Sequence, residues 1–406
     1  MDTNNKSILN PLLNKVPQVT LFFWIIKVLC TTVGETFADF LNVNLGFGLS
    51  GTSIVMGILL AIALFFQFKS KKYIPAVYWI SVVFISVFGT LVTDNLTDKM
   101  GIRLETSTII FSILLLLTFC VWYVKEKTLS IHSIFTAQRE GFYWLTILFT
   151  FALGTASGDL MAEGLGLGYL NTGIIVASII AIVIIAQKLK LNSVLSFWII
   201  YIMTRPLGAS IGDYLSQPTK FGGLGLGASL TSVLFLVGIL AIIIYFTFTK
   251  KDVITNADSQ DTQTDENKGL IPQSAITVAL FITIGFSAYF WRQKQLQKET
   301  ITSTLTTEST NTTLPTSTLG DLSTFKKITQ DTKDLVIAND LETAKTRVSD
   351  LEHEWDIAQP RLKAIDGIKW TEIDTAIDKV LRQLRAVSPI PKDCQSALDA
   401  LLKVLN

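Results

Sequence analysis

The chain has 406 residues, of which 49% are hydrophobic and only 17% charged, and its formal net charge is +1. A mean hydropathy of +0.46 favours a polytopic membrane protein over a soluble one. No basic tract points to nucleic acid, and the three scattered cysteines, Cys30, Cys120 and Cys394, give neither a disulfide framework nor a metal-ligand spacing.

Along the chain, apolar runs of membrane-spanning length fall at 19–42, 50–68, 74–95, 106–124, 141–162, 170–187, 193–215, 228–249 and 270–291, which predicts nine helices. Runs one, three, five and seven share one pattern: an aromatic residue, Trp, nine residues, Gly, four residues, Asp. The copies are Phe23-Trp24…Gly34…Asp39, Tyr78-Trp79…Gly89…Asp94, Tyr143-Trp144…Gly154…Asp159 and Phe197-Trp198…Gly208…Asp213. The first run already carries a copy, so it reads as a mature helix and not as a signal peptide. The intervening even runs are plain: 52–66, 106–124, 172–186 and 231–249 hold no charged residue. The repeat is therefore two helices long, with units at about 16–70, 71–127, 138–190 and 191–249 of a membrane domain spanning 16–249. Every deep charge lies on an odd helix: Lys27, Glu35, Asp39, Asp94, Asp159, Arg205 and Asp213. The even helices read as lipid-facing or packing elements. Trp spacings of 55, 65 and 54 residues imply two halves of four helices. All odd helices run in one direction, which makes this a parallel repeat about the membrane normal.

Glycines follow each copy: Gly46 and Gly48, Gly101 alone, Gly166 and Gly168, Gly225 and Gly227. Thr52, Thr172 and Thr231 come four residues after the second Gly. The plainer expectation is a tight turn with a Thr N-cap; the other is irregular backbone lining a cavity. Copy four departs from the rest, with a longer loop after Asp213 and an intruding Arg205-Pro206.

Orientation is read from Lys and Arg in the loops. The N-terminus and the loops after helices two, four, six and eight hold thirteen; the opposite loops hold three, Lys99, Arg103 and Lys220. The N-terminus and the 250–269 loop are thus expected in the cytoplasm. The ninth helix, 270–291, then delivers the C-terminal region outside, although Arg292, Lys294 and Lys298 pull the other way. Residues 299–319 read as a disordered linker, since 300–318 contain thirteen Ser or Thr. Residues 320–406 read as a soluble antiparallel four-helix bundle. Leu341, Ala344, Val348, Leu351, Trp355, Ala358, Leu362 and Ile365 keep a 3-4 spacing, as do Trp370, Ile373, Ile377, Val380, Leu384 and Val387. Thirteen Lys and Arg face fifteen Asp and Glu there, so the bundle reads as a module for contacts or regulation on a flexible tether, and not as a cation trap. His353, among Asp350, Glu352, Glu354 and Asp356, reads as part of a solvated face.

The four motif copies resemble a bacterial family of uncharacterised membrane-anchored proteins built from four copies of a repeat of unknown function. The resemblance covers roughly residues 16–249 and implies a bacterial inner-membrane protein. It supplies no activity, and the C-terminal bundle is an addition to it. The intramembrane aspartyl proteases pair Tyr-Asp with Gly-x-Gly-Asp and a Pro-Ala-Leu; this chain has only Gly158-Asp159 and Gly212-Asp213, so no enzyme activity and no cofactor are expected.

A carboxylate at membrane depth costs about 2.5–3.5 kcal/mol on insertion scales, and here one recurs at a single repeated position four times. Trp to Asp is 15 residues, about 22 Å of helix, so a Trp at the cytoplasmic interface sets each acid in the outer half. Asp39, Asp94, Asp159 and Asp213 are then expected as a binding ring. Oxygen ligands from several helices suit a small, hard metal cation, divalent ions included, with capping of a helix end as the plainer alternative. Glu35 shares a face with Asp39 and is assigned ion coupling. Lys27 and Arg205, each eight residues before an acid, are assigned charge balance, and Gly34, Gly89, Gly154 and Gly208 support the ring. The function expected is a transporter of a small cation coupled to protons or another ion. Its partners would be the bilayer, the cation and a possible extracytoplasmic protein met by the bundle. The alternative is a membrane scaffold or sensor displaying that bundle.

Overall fold

A computed structural model describes residues 14–45, 47–219, 223–253, 269–307, 318–386 and 388–406. Those residues are helical with no strand. Eight helices build the repeats: α1 Leu21–Asp39, α2 Gly48–Lys69, α3 Pro75–Asp94, α4 Leu104–Glu126, α5 Ala137–Asp159, α6 Gly168–Lys188, α7 Ser193–Ser216 and α8 Gly227–Thr249. Helix α9 follows at Leu270–Thr307. With the turns that extend them, the described residues contain nine helices long and apolar enough to cross a membrane. The chain is a polytopic membrane protein.

The motif dictates how these helices meet. Helices α1, α3, α5 and α7 touch in cyclic order, and α7 closes on α1. At each contact the motif glycine lets one backbone approach the next. A Cβ on Gly34 would run into Ser86, on Gly89 into Phe151, on Gly154 into Arg205 and on Gly208 into Thr31. Each obstacle lies three residues before the motif glycine of the next copy, so the four contacts are equivalent and the ring has fourfold pseudosymmetry. The expected division into two halves gives way to this ring.

The second helix of each repeat packs outside the first helix of the next: α2 on α3, α4 on α5, α6 on α7, and α8 back on α1. Between 56% and 67% of residues in the inner spans are buried, against 17–28% in the outer ones and 6% in the ninth. Charged residues sit on the inner helices because only those faces avoid lipid.

The C-terminal helices are α10 Ser323–Ile337, α11 Leu341–Ile365, α12 Gly367–Arg385 and α13 Pro391–Leu405. Each packs on two neighbours to make a four-helix bundle. Asp340 and Asp366 cap the starts of α11 and α12. Ala344, Leu351, Trp355, Trp370, Ile377 and Leu384 fill its core as the spacing predicts. Ile365, at the last turn of α11, is exposed instead, and Val387 lies outside the described residues.

Two expectations about the C-terminal region change. Helix α9 runs to Thr307, through the first residues of the expected linker; 308–317 lie outside the described residues, as do 254–268 of the expected loop. The bundle is also not held away from the membrane domain. It rests on the acid-bearing ends of the inner helices, where Lys363 Nζ donates to the Thr97 carbonyl at 2.7 Å.

Candidate functional site: the axis of the inner ring

The axis is built in layers, and the residue types of each copy decide what each layer does. At the Trp end, the aromatic residue of each copy packs at a tilt against the Trp of the next. Phe23 meets Trp79 at 5.5 Å between ring centroids, Tyr78 meets Trp144 at 5.5 Å, Tyr143 meets Trp198 at 6.3 Å, and Phe197 meets Trp24 at 5.5 Å. The ring closes on itself, and the Tyr78 and Tyr143 hydroxyls share a 2.5 Å hydrogen bond. Trp79, Trp144 and Trp198 are buried in protein. The Trp residues expected at the lipid interface are therefore a plug across the axis. Aromatic pairs at such separations contribute roughly 0.5–1.5 kcal/mol each beyond burial.

One layer inward lies Lys27, 1% exposed. Its Nζ has no hydrogen-bond partner among the described residues. It sits over two rings, 3.8 Å from the Phe151 centroid and 4.2 Å from that of Tyr201. The expected pairing of Lys27 with Glu35 does not form. Helical spacing gave them one face, but Phe151 of α5 and Tyr201 of α7 enclose the amine from across the ring.

Glu35 pairs instead with Arg205, which is fully buried. The guanidinium donates from Nη2 to Glu35 Oε2 at 2.5 Å and to the Thr90 hydroxyl, and from Nη1 to the Thr31 carbonyl at 3.3 Å. Arg205 thus ties copy four to copies one and two. It balances Glu35, where its own-helix spacing pointed to Asp213. Pro206 is accommodated because Gly158 leaves room beside it.

Beyond this layer lie the four motif aspartates, all half-buried: Asp39, Asp94 and Asp159 end their α-helices, and Asp213 stands in the last turn of α7. Each lies within electrostatic range of Glu35: Asp39, Asp94, Asp159 and Asp213 alike. Asp159 also senses Asp94 and Asp213. The acids do face one shared region. They do not close into a ligand cage: among the described residues no three His, Cys, Asp or Glu side chains are placed to hold a metal ion. The four aspartates are thus gathered toward one region without forming an assembled set of ligands among the described residues. Arg205 already occupies the central carboxylate, and Asp39, Asp94 and Asp159 sit where their helices begin to widen.

That widening comes from π-helical turns directly after the motif in three copies: Phe40–Asn44, Asn95–Lys99 and Leu160–Gly164. Their i→i+5 bonds run from Leu45 N to Phe40 O, Met100 N to Asn95 O and Leu165 N to Leu160 O, at 3.0, 3.0 and 2.8 Å. Such turns are rare and concentrate at functional sites. Copy four has none: Gln217 N bonds Asp213 O at 2.9 Å in ordinary α geometry, and its longer loop folds back on the helix end. The following helices start on glycines in the left-handed region, Gly48 at φ 68°, Gly168 at 72° and Gly227 at 74°. Gly46 lies outside the described residues. The threonines expected as N-caps lie inside those helices instead, and Thr52 and Thr231 donate back to Gly48 O and Gly227 O at 2.8 Å.

The family model of the Repeat of Unknown Function, DUF347, matches the chain four times, over residues 22–73, 77–128, 142–190 and 196–252. These matches cover more than half of the chain. The chain belongs to the DUF347 repeat family. No curated protein and no solved structure matches it. Each DUF347 match takes in one inner helix, its motif and the outer helix after it.

Sequence reasoning missed a second layer of acids. Asp98 and Glu163 lie on the π turns, four residues after the motif Asp of the second and third DUF347 repeats. Glu163 accepts from the Tyr169 hydroxyl at 2.8 Å. The signal was the same four-residue step that linked Glu35 to Asp39. It was hidden because the equivalent residues of copies one and four are Val43 and Gln217. Thr31 and Thr90 were also missed, since nothing local marks them as partners of an arginine on a distant helix.

Proposed function

We propose that the DUF347 domain transports a small cation, held with part of its water by the outer acid ring and coupled through Glu35 to a proton. The observation that carries this reading is Glu35, a carboxylate within range of all four motif aspartates and paired with a buried internal cation. Without cargo, Arg205 satisfies Glu35. A cation arriving in the ring competes with Arg205 for that carboxylate, and protonation of Glu35 releases both. Lys27 and the two rings around it close the axis behind the ring, and the aromatic plug closes the far end. The absence of a tight cage fits an ion that keeps water ligands, as Mg²⁺ does when few carboxylates hold it. We assign the acid end to the outside of a bacterial inner membrane, on the bias of thirteen Lys and Arg to three in the loops. The scaffold or sensor reading has no use for buried charge on the axis and ranks second.

The test is flux of Mn²⁺, Mg²⁺, Ca²⁺, Zn²⁺ and monovalent cations into proteoliposomes, with a deletion strain grown under excess or limitation of each. Asp→Asn at 39, 94, 159 or 213 is expected to lower flux at least tenfold without loss of protein from the membrane. Wild-type flux in all four variants would return the aspartates to helix capping, a role Asn fills equally well.

A further inference from the structure

The bundle and the membrane domain have separate hydrophobic cores. One cluster is confined to 319–405 and the main other to the helices of the ring and the segments packed on it. What joins the two bodies is polar. Lys363 is 6% exposed, lies over the Trp370 ring at 4.1 Å, and reaches the Thr97 carbonyl and, at 4.0 Å, Asp98. It stands at the C-terminal end of the second inner helix, where a cation is favoured by the helix dipole. Around Gly101, a Cβ would meet Thr371 and the Gly367 carbonyl at the start of α12, and one on Gly48 would meet Arg382 at 3.0 Å. The turns after the first two motifs are thus shaped to receive α12.

We infer that the bundle is a lid over the outer mouth of the acid ring, which lifts to admit the cation and closes by docking Lys363 onto the second π turn. The cargo in this inference rests on the transport reading; the lid motion does not.

The charges across the contact make the docked state reversible. From the bundle, α11 presents Glu352, Asp356 and Lys363, and α12 presents Asp374, Asp378, Arg382 and Arg385. From the membrane domain, α1 presents Asp39, α4 Glu105, and the π turns Asp98 and Glu163. Arg385 holds Glu352 at 2.5 Å and is sensed by Asp39. The remaining carboxylates face one another. Burial, then Glu163, pushes the Asp356 carboxyl well above the usual range; burial, then Asp98, does so for Asp374; Asp378 rises to about 6 through burial, with Arg382 opposing. The docked state therefore binds more protons at these groups, so docking strengthens as pH falls and weakens as pH rises through the raised values. Lys363, lowered by burial, acts in the opposite sense. The expected solvated face around His353 and the balanced charge of the bundle hide this, because four of its acids are gathered on the docked side.

The experiment uses the full chain in proteoliposomes with Cys30, Cys120 and Cys394 replaced. Met100→Cys with Thr371→Cys, on either side of the Gly101 contact and outside the acid ring, bridged by a short bifunctional maleimide, locks the lid. Locking is expected to lower cation flux at least tenfold, while a monofunctional maleimide leaves most of it. In a separate variant, Thr97→Cys, 2% exposed under Lys363 as threonine, reports opening by its labelling rate with an impermeant thiol reagent. Lys363→Met is expected to raise that rate about tenfold. A distance between spin labels on bundle and ring is expected to lengthen from about pH 5 to about pH 8. Unchanged flux on locking overturns the gate. Labelling indifferent to Lys363→Met, together with a distance fixed across pH, overturns the lid. Absent flux in the unlocked protein with responsive labelling would instead overturn the transport reading alone.

Discussion

The two ends of the inner ring are made by the same four helices and behave differently. At the Trp end, equivalent residues do equivalent things, and four aromatic pairs close a near-symmetric plug. At the acid end the symmetry is broken by single residues: Glu35 in copy one, Arg205 in copy four, Asp98 and Glu163 in copies two and three, and a π turn missing from the fourth. Repetition supplies the packing, and departures from repetition supply the polar chemistry. A symmetric ring of carboxylates alone would repel itself; one arginine from one copy gives it a centre.

The comparison is tested most severely at its asymmetric end. Removing one partner of a buried ion pair leaves an unpaired charge, at about 3–5 kcal/mol. Arg205→Met and Glu35→Gln are each expected to lower thermal stability in detergent, with the arginine loss larger because it also frees the Thr31 carbonyl and Thr90. The double variant is expected to be more stable than Arg205→Met alone. Additive losses would mean that the pair is not the unit. At intermediate size come the glycines. Valine at 34, 89, 154 or 208 forces a bulky side chain into a helix contact, at roughly 1–3 kcal/mol by overpacking. Similar losses at all four positions sharpen the claim of equivalent contacts, whereas tolerance at one breaks the ring there. The smallest effect belongs to the plug. Tyr78→Phe removes one hydroxyl bond and is expected to cost about 1 kcal/mol, measured against Tyr143→Phe, which removes the same bond.

The same contrast explains what the sequence made legible. A motif at constant spacing states which residues are equivalent, so the repeat, the inner and outer helices and the candidate acids could be read from it. Once the copies are known to be equivalent, the glycine contacts follow as well. Partners across the ring were not legible. Lys27 and Glu35 share a helix face, and one-dimensional spacing paired them; the fold gave Lys27 two rings and Glu35 an arginine 170 residues away. The Trp residues were misread because an interfacial belt and an intramolecular plug ask for the same residue at the same depth. The π turns have no residue signature, since FLNVN, NLTDK and LMAEG share no pattern. The docking of the bundle was missed because overall charge balance conceals where charges gather.

The closing contact between α7 and α1, with α8 packed outside it, has a consequence for biosynthesis. Of the four repeats the first to be made carries Lys27, Glu35 and Asp39, and the side chains that enclose them belong to later repeats. Arg205 reaches Glu35, and Ser232 of α8 donates to Thr36 at 2.8 Å. Until the fourth repeat is inserted, the first stands in the bilayer with its polar face open. A nascent chain halted after three repeats presents an unclosed seam on each side. The rate of insertion of the fourth repeat's two helices therefore sets how long that exposure lasts.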